Sequence, residues 1–150
     1  MASKRGFTLL ELMIVIIIIG VLATLGLVQY RTVVERSRGA EPRQILGALR
    51  SQCAAYYMED GNTSDCSEAN LGIGSASDLI PGPTASQCRS SHFFYYDITA
   101  SSGNTFTVRA TRCESGGKAP QGASVTPDRY IQLSTDYSSG VDTWSSNFGY

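Results

Sequence analysis

The residue with the clearest chemical consequence is Glu11, a lone carboxylate inside an apolar segment that runs from Phe7 to Val28. The residues before this segment include Lys4 and Arg5 and end in Gly6, so a basic hexapeptide precedes the apolar stretch. A charged side chain in lipid costs roughly 2.5 to 3.5 kcal/mol at a helix centre, and less near an end. Glu11 therefore needs a partner, and we interpret it as a functional residue.

The run Gly6-Phe7-Thr8-Leu9-Leu10-Glu11 resembles the processing site of type IV prepilins and type II secretion pseudopilins. In that superfamily a membrane peptidase cuts after the glycine and methylates the new N-terminus. The resemblance therefore implies cleavage between Gly6 and Phe7 and N-methylation of Phe7. It also makes Glu11 the fifth residue of the mature chain.

The same resemblance divides the chain into three parts. They are a prepilin leader peptide at 1–6, a transmembrane or filament-core helix at 7–28, and, at 29–150, an amphipathic helix with a C-terminal β-sheet domain. The implied partners are other pilin subunits, prepilin peptidase, an inner-membrane assembly platform and, before assembly, membrane lipid. The precursor is expected in the bacterial inner membrane and the product in an extracellular pilus, or in the periplasm for a pseudopilin.

Two ordinary targeting segments are the alternatives. A secretory signal peptide has an apolar region of about 7 to 15 residues before a small-residue cleavage site. The segment here is longer, and Ala23-Thr24-Leu25 is only a faint match to such a site. A plain single-span anchor fits the length of roughly 20 apolar residues and the cytoplasmic position of Lys4 and Arg5. Neither alternative gives Glu11 a role.

In a filament, we expect Glu11 to pair with the protonated N-terminal amine of Phe7 on a neighbouring subunit. The pair would neutralise a buried charge and fix the axial register of the subunits. Helices gain little apolar burial when they leave lipid for each other, so close packing has to contribute. Gly20, Ala23 and Gly26 permit that close approach.

The chain contains four cysteines, Cys53, Cys66, Cys88 and Cys113, without a C-x-x-C pair, which argues against zinc. An even number in a domain outside the cytoplasm indicates disulfides. Several connectivities are possible. We favour Cys53 with Cys66, which ties a helix end to the following loop, and Cys88 with Cys113, which lie just beyond the ends of a predicted hairpin.

The other candidates for chemistry carry weak signals. His92 is the only histidine and opens an aromatic strand, so we interpret it as a structural or surface residue. The sequence contains no nucleophile elbow, and we predict no catalytic residue, no enzyme activity and no cofactor. Asp136 and Asp142 flank a short loop that a hairpin turn explains better than calcium, which needs about six to eight oxygens. Calcium stays a weak alternative there because the major pseudopilin of type II secretion has a C-terminal calcium site.

Charge gives no sign of a nucleic-acid partner. The net charge is −1, and cleavage of the leader would leave ten basic against thirteen acidic residues, a net charge of −3. Arginines follow the apolar segment at Arg31, Arg36, Arg38, Arg43 and Arg50. A solvated helix face, lipid headgroups and ion pairs between subunits all remain possible for them.

A long helix is predicted from Phe7 to about Glu59, apolar on all sides in its first half and one-sided in its second. Apolar residues recur in the second half at Ile45, Leu49, Cys53 and then Tyr56 or Tyr57. Proline lacks an N–H and disfavours a helical residue before it, so Gly39-Ala40-Glu41-Pro42 predicts a kink near Pro42. The turn residues Asp60-Gly61-Asn62 end the helix.

After the helix we predict a loop from Thr63 to Gln87, anchored by short apolar pieces, and then strands. The anchoring residues are Leu71, Ile73, Leu79 and Ile80. The strands are 92–98, 105–111 and 129–133, with a short fourth at 141–144, and residues 101–104 form a hairpin turn. We assign the aromatic residues of the helix end and of the first strand to packing. They are Tyr56, Tyr57, Phe93, Phe94, Tyr95 and Tyr96. This order gives an α+β fold in which the helix covers an antiparallel sheet of three or four strands.

The most direct function is that of a pilin, a structural subunit of a type IV pilus assembled from the inner membrane. Two alternatives stay open: a pseudopilin of a type II secretion system, and a membrane-anchored binding domain that does not polymerise. The first two share their chemistry. The predicted disulfides and the serine-rich loop favour the surface-exposed fibre.

Overall fold

Two long helices and then four strands follow one another in the computed structural model, which describes residues 6–75, 77–122 and 128–150. The elements are α1 (Leu9–Arg38), α2 (Ala40–Asp60), a short 3-10 helix (Ala85–Gln87), β1 (Phe94–Ser102), β2 (Thr105–Arg112), β3 (Tyr130–Asp136) and β4 (Val141–Ser146). The α+β class is confirmed. The chain forms two units, of which the first ends at Glu35 and the second, here called the head, runs from Arg36 to Tyr150. Lys4 and Arg5 lie outside the described residues.

The helical stretch is interrupted at Gly39, three residues before the proline that predicted a kink. Pro42 itself lies in the first turn of α2, where its missing N–H costs little because that position has no helical acceptor. Gly39 is required by a close approach, since a Cβ built there would lie 2.8 Å from the Cβ of Tyr150. At its other end α2 stops, as predicted, at Gly61, whose φ of 65° is left-handed and whose N–H donates to the Tyr57 carbonyl over 2.8 Å.

The four strands form one antiparallel sheet in the order β1-β2-β3-β4, and α2 packs on β2 and β3. The predicted stripe on α2 is correct at Leu49 and Cys53, which are fully buried, but it omitted Leu46, which is fully buried too. Ile45, which the stripe included, is only partly buried against the core. The sheet contributes most of the remaining core through Phe94, Tyr96, Phe106, Val108, Ala110, Ile131 and Leu133.

The strands differ from their predicted bounds mainly at their ends. β1 starts at Phe94 rather than at His92 and runs on to Ser102, so the turn to β2 consists of Gly103 and Asn104. Gly103 has a φ of 58°, which glycine adopts without steric cost. A register shift between Ile98 and Ala100 marks a bulge in β1. β1 and β2 pair over more residues than predicted, because their backbone hydrogen bonds continue beyond the apolar core.

The loop between α2 and the sheet is anchored by three of its four predicted residues. Leu71 and Ile73 are buried, and Ile80 packs partly against the core and forms a parallel bridge with Ile73. Leu79 was predicted wrongly, since it is 86% exposed. Leu79 lies at a bend directly before the bridge, so only Ile80 is directed to the core.

Candidate functional site

The start of α1 is fixed by three reciprocal hydrogen bonds between Thr8 and Glu11. The Thr8 N–H and the Thr8 hydroxyl each donate to Oε2 of Glu11 over 2.9 Å, and the Glu11 N–H donates to the Thr8 Oγ1 over 3.2 Å. This is a capping box, in which a threonine before the first turn and a glutamate three residues later satisfy the free N–H groups of the helix start. Glu11 thus has a partner within its own chain.

Sequence reasoning overlooked the role of Thr8, although the signal was present. The spacing T-x-x-E ahead of an apolar run predicts a capping box, and it also explains why α1 begins at Leu9 rather than at Phe7. Gly6 and Phe7 precede the helix and are exposed, Phe7 by 80%. Cleavage and methylation at these two residues stay predictions.

The apolar residues of α1 are exposed along the whole first unit. They run from Leu9 to Val33 on every side of the helix, and examples are Ile17 at 61%, Leu22 at 63% and Val28 at 66% exposure. A Cβ built at Gly20 or Gly26 would meet nothing within 4 Å. By length and composition this helix could cross a membrane. A surface of this kind has to be covered by lipid or by other helices.

Two disulfides fasten the head, and both pairings are those predicted. Cys53 of α2 bonds to Cys66 in the following loop, with 5.3 Å between the Cα atoms. Cys88 bonds to Cys113 just after β2, with 6.0 Å between the Cα atoms. Closing loops of these lengths contributes about 3 to 3.5 kcal/mol each by loss of entropy in the unfolded chain. The two disulfides therefore add to the stability that the core gives the head.

Three of the five arginines after the apolar segment are used inside the head. The Arg38 guanidinium lies 5.0 Å from the centre of the Phe93 ring, and the Arg43 guanidinium lies 5.2 Å from that of Trp144. Arg50 donates to Asp142 over 2.9 Å. Arg31 and Arg36 are exposed. The sequence had left open a solvated helix face, lipid headgroups and ion pairs between subunits. None of these explanations included stacking of arginines on aromatic rings of the head.

Phe93 is surrounded by cations. Besides Arg38, the Arg112 guanidinium and the Lys118 ammonium lie 5.2 and 5.0 Å from its ring centre. Arg112 is almost fully buried, and its Nη1 and Nη2 donate to the carbonyls of Phe93 and Pro120, each over 2.8 Å. Each cation over a ring face is worth about 0.5 to 2 kcal/mol. Three cations therefore converge on one aromatic ring at this end of the head.

His92 is half-buried beside this cluster, and its Nδ1 lies 2.8 Å from the Ser91 hydroxyl. Burial lowers the pKa of His92 below its usual value. Glu41 acts against this shift, whereas Arg89 and Lys118 lower the pKa further. The predicted structural role of His92 fits these contacts.

Asp136 and Asp142, the weak calcium candidates, accept hydrogen bonds in and around the β3–β4 hairpin. Asp136 Oδ1 accepts from the Ser138 N–H over 2.9 Å and from the Ser138 hydroxyl over 2.7 Å, which closes the turn. Asp142 Oδ1 accepts from Thr135 and from Arg50, each over 2.9 Å. Within the part of the chain that the structure describes, no group of three or more histidine, cysteine, aspartate or glutamate side chains is placed so that it could hold a metal ion.

A capped apolar helix that needs external cover, joined to a disulfide-bonded head, is the organisation of a subunit that is anchored or assembled through its N-terminus. A family model described as "Prokaryotic N-terminal methylation motif" matches residues 1–27. The chain is 29% identical over 134 residues to a "Fimbrial protein" of Pseudomonas aeruginosa, covering 86% of this chain and 81% of that one.

Two further relatives have similar names. Over 58 residues the chain is 43% identical to "Fimbrial protein EcpC" of Eikenella corrodens, which covers 39% of this chain and only 38% of that protein. Over 120 residues it is 27% identical to "Type IV major pilin protein PilE1" of Neisseria gonorrhoeae, covering 80% of this chain and 66% of that one. No solved structure gives a significant match. By these comparisons the chain is similar to fimbrial and type IV pilin proteins, and its first 27 residues match the methylation motif.

Proposed function

We propose that this chain is a pilin, a structural subunit of a type IV pilus without catalytic activity of its own. The observation that carries the proposal is the exposed apolar surface of α1, most of which lies within residues 1–27, the range that the methylation motif matches. Lipid covers this surface in the precursor, and neighbouring copies of α1 cover it in the filament. The names of the fimbrial relatives support the same function.

Processing comes first. Gly6 has nothing within 4 Å of the position where a Cβ would lie, and both Gly6 and Phe7 are exposed ahead of the helix, so a peptidase can reach the bond between them. Cleavage creates an amine at Phe7, and prepilin peptidase methylates it. The amine then lies one residue before Thr8, next to the capping box.

Glu11 serves two purposes in this proposal. Its Oε2 caps the start of α1 through Thr8, while a carboxylate retains acceptor capacity on its second oxygen. Oε1 accepts from the protonated amine of Phe7 on a neighbouring subunit. The ion pair neutralises both charges inside the helical bundle, and it forms at one axial offset only, so it sets the register between subunits.

Close packing between copies of α1 supplies the remaining attraction. Lipid is as apolar as the helices, so burial of apolar area does not by itself favour the filament. The space around Gly20 and Gly26 in the single chain is open, and Ala23 lies between them in the sequence. Neighbouring helices approach one another at these small residues.

Electron microscopy of filaments sheared from the source cells, with mass spectrometry of the N-terminus of the same material, tests the proposal. Filaments whose subunits begin with methylated Phe7 are expected. Protein found only in membranes, with its leader intact, would overturn the proposal and favour the anchored, non-polymerising alternative.

Gly6→Lys isolates the processing step. The variant should accumulate as uncleaved precursor in the inner membrane and form no filaments, because the amine of Phe7 is never created. Immunoblotting of membrane and sheared fractions measures the ratio. Wild-type filament levels from this variant would contradict processing at Gly6.

A further inference from the structure

The charges of the head are sorted along the chain. The 38 residues from 51 to 88 contain no lysine or arginine. Five carboxylates lie in that stretch: Glu59, Asp60, Asp65, Glu68 and Asp78. Positive residues instead precede it, in and before the first half of α2, and follow it from Arg89 onwards. Opposite charges therefore gather in different parts of the same folded unit.

The acidic end consists of Glu59, Asp60 and Asp65, where α2 stops, and Glu68 follows in the loop, where its Oε1 accepts from the Ile98 N–H. Glu59 and Asp60 are exposed in the last turn of α2, which holds no basic residue. A helix already carries partial negative charge at that end, so carboxylates there are unfavourable. Asp65 adds to the crowding, since its hydrogen bond and its charge raise the pKa of Asp60. The isolated chain thus keeps negative charges where they cost stability.

The basic end is the cluster Arg36, Arg38, Arg112 and Lys118 around Phe93. Arg36 belongs to it because its guanidinium packs against Gly149, next to the Tyr150 that contacts Gly39. Arg36 and Lys118 are exposed. Three carboxylates lie close by in the sequence or in space: Glu35, which directly precedes Arg36, Glu41, which accepts from the Phe93 N–H over 2.8 Å, and Glu114, which has a partner within the fold. The four cations outnumber them, so the cluster carries a net positive charge.

The two clusters lie at opposite ends of α2. The basic end adjoins the break at Gly39, and the acidic end adjoins Gly61. At 1.5 Å per residue the helix between them spans about 30 Å. Like ends of two heads repel each other, whereas unlike ends attract. The only pairing that both charges favour is head to tail.

We propose that the acidic end of one head binds the basic end of a second copy of this chain, so that heads stack head to tail along the filament. The inference rests on the proposed pilin function and deepens it. A contact between two different patches repeats without closing into a dimer, as a filament requires. Single exposed ion pairs add little affinity, so the contact chiefly selects orientation and register.

Charge reversal at the acidic end separates this contact from folding. In the full chain expressed in the source cells, Glu59→Lys with Asp60→Lys should lower filament yield per precursor by about tenfold or more, because like charges then face each other across the contact. The same variant should unfold at a higher temperature, because lysines complement the helix end. A variant that merely misfolds would lose both properties together.

Two further variants complete the test: charge reversal at the basic end, and both reversals combined in one chain. Arg36→Glu with Lys118→Glu should lower filament yield to a similar degree. All four substitutions together should restore most of the yield, since the charges are exchanged rather than removed. Restoration is the result that a purely structural role of these residues would not produce.

A matched pair of variants controls for net charge. Glu59→Gln with Asp60→Asn makes the chain more positive by two charges, as does Ala48→Lys with Ser51→Lys in the exposed middle of α2. We expect the first pair to reduce filament yield by a few fold and the second to leave it unchanged. Equal loss from both would show an effect of net charge alone and overturn the proposal.

Two other outcomes would overturn it as well. Wild-type yield from either reversal shows that the ends do not meet. If the basic-end reversal lowers filament yield and the variant that carries all four substitutions does not restore it, the basic end binds a different anion, such as a lipid headgroup. Failure of the pilin function is distinguishable, because the unaltered chain would then form no filaments at all.

Discussion

The two helices of this chain place similar apolar residues in opposite environments. In α1 the apolar side chains are exposed, Leu22 by 63%, whereas in α2 Leu46 and Leu49 are fully buried against the sheet. The head supplies a core and two disulfides for α2. α1 has its capping box at one end and otherwise depends on molecules outside the chain. Mutations in the two helices should therefore affect different properties, stability in the head and assembly in α1.

Glu11 offers the largest expected effect. Glu11→Ala should abolish filament formation while the head stays folded, because loss of one member of a buried ion pair costs about 3 to 5 kcal/mol. Filament yield by shearing and electron microscopy, with the thermal unfolding of the head in detergent, measures both sides of the comparison.

Two matched variants separate the two roles of Glu11. Glu11→Gln keeps the capping box, in which glutamine also serves, but removes the charge, so filaments should still be lost. Thr8→Ala removes the cap at a cost of about 0.5 to 2 kcal/mol and keeps the charge, so filaments should persist at reduced yield. Normal assembly of Glu11→Gln would show that capping is the whole role of this residue.

A pair of leucines tests the contrast between the helices directly. Leu46→Ala should lower the free energy of unfolding of the head by about 2 to 5 kcal/mol, because it leaves a cavity in the core. Leu22→Ala should leave that free energy unchanged. Urea unfolding in detergent, followed by the fluorescence of Trp144, the only tryptophan, provides the measurement. A drop with Leu22→Ala would mean that the first unit contributes to the stability of the head.

A pair of glycines in the helical stretch should give smaller effects of opposite sign. Gly39→Ala places a Cβ 2.8 Å from Tyr150, and overpacking of this kind costs about 1 to 3 kcal/mol. Gly47→Ala meets nothing within 4 Å and should stabilise α2 by up to about 1 kcal/mol. The same unfolding assay compares them. Equal effects would remove close packing at Tyr150 as the reason for glycine at position 39.

Sequence patterns predicted the parts of this molecule that depend on local chemistry. The apolar run, the stop at Gly61 and both disulfide pairings follow from residue types and spacing. The basic end was not predictable, because Arg38, Arg112 and Lys118 converge on Phe93 from distant positions. The break at Gly39 lies within the predicted segment from Gly39 to Pro42, but the need for glycine there was not predictable, because Tyr150, more than a hundred residues later, excludes a Cβ.

The smallest effect concerns pH and belongs to the head alone. The pKa of His92 is lowered on folding, so the unfolded chain binds its proton more readily and stability falls as the pH drops through the usual histidine range. Between pH 7.5 and 5.5 the unaltered head should lose a fraction of a kcal/mol, since solvent screens a half-exposed group. His92→Gln should lose less over the same range in urea unfolding.

The positive neighbours of His92 turn this residue into a reporter of the basic end. Because Lys118 lowers its pKa, Lys118→Gln should raise that pKa, which NMR titration of the His92 ring would measure in detergent-solubilised protein. Leu22→Ala, in the other unit, should leave the titration where it is. An unchanged pKa in Lys118→Gln would mean that burial alone sets it, and that the charge of Lys118 does not act at the His92 ring.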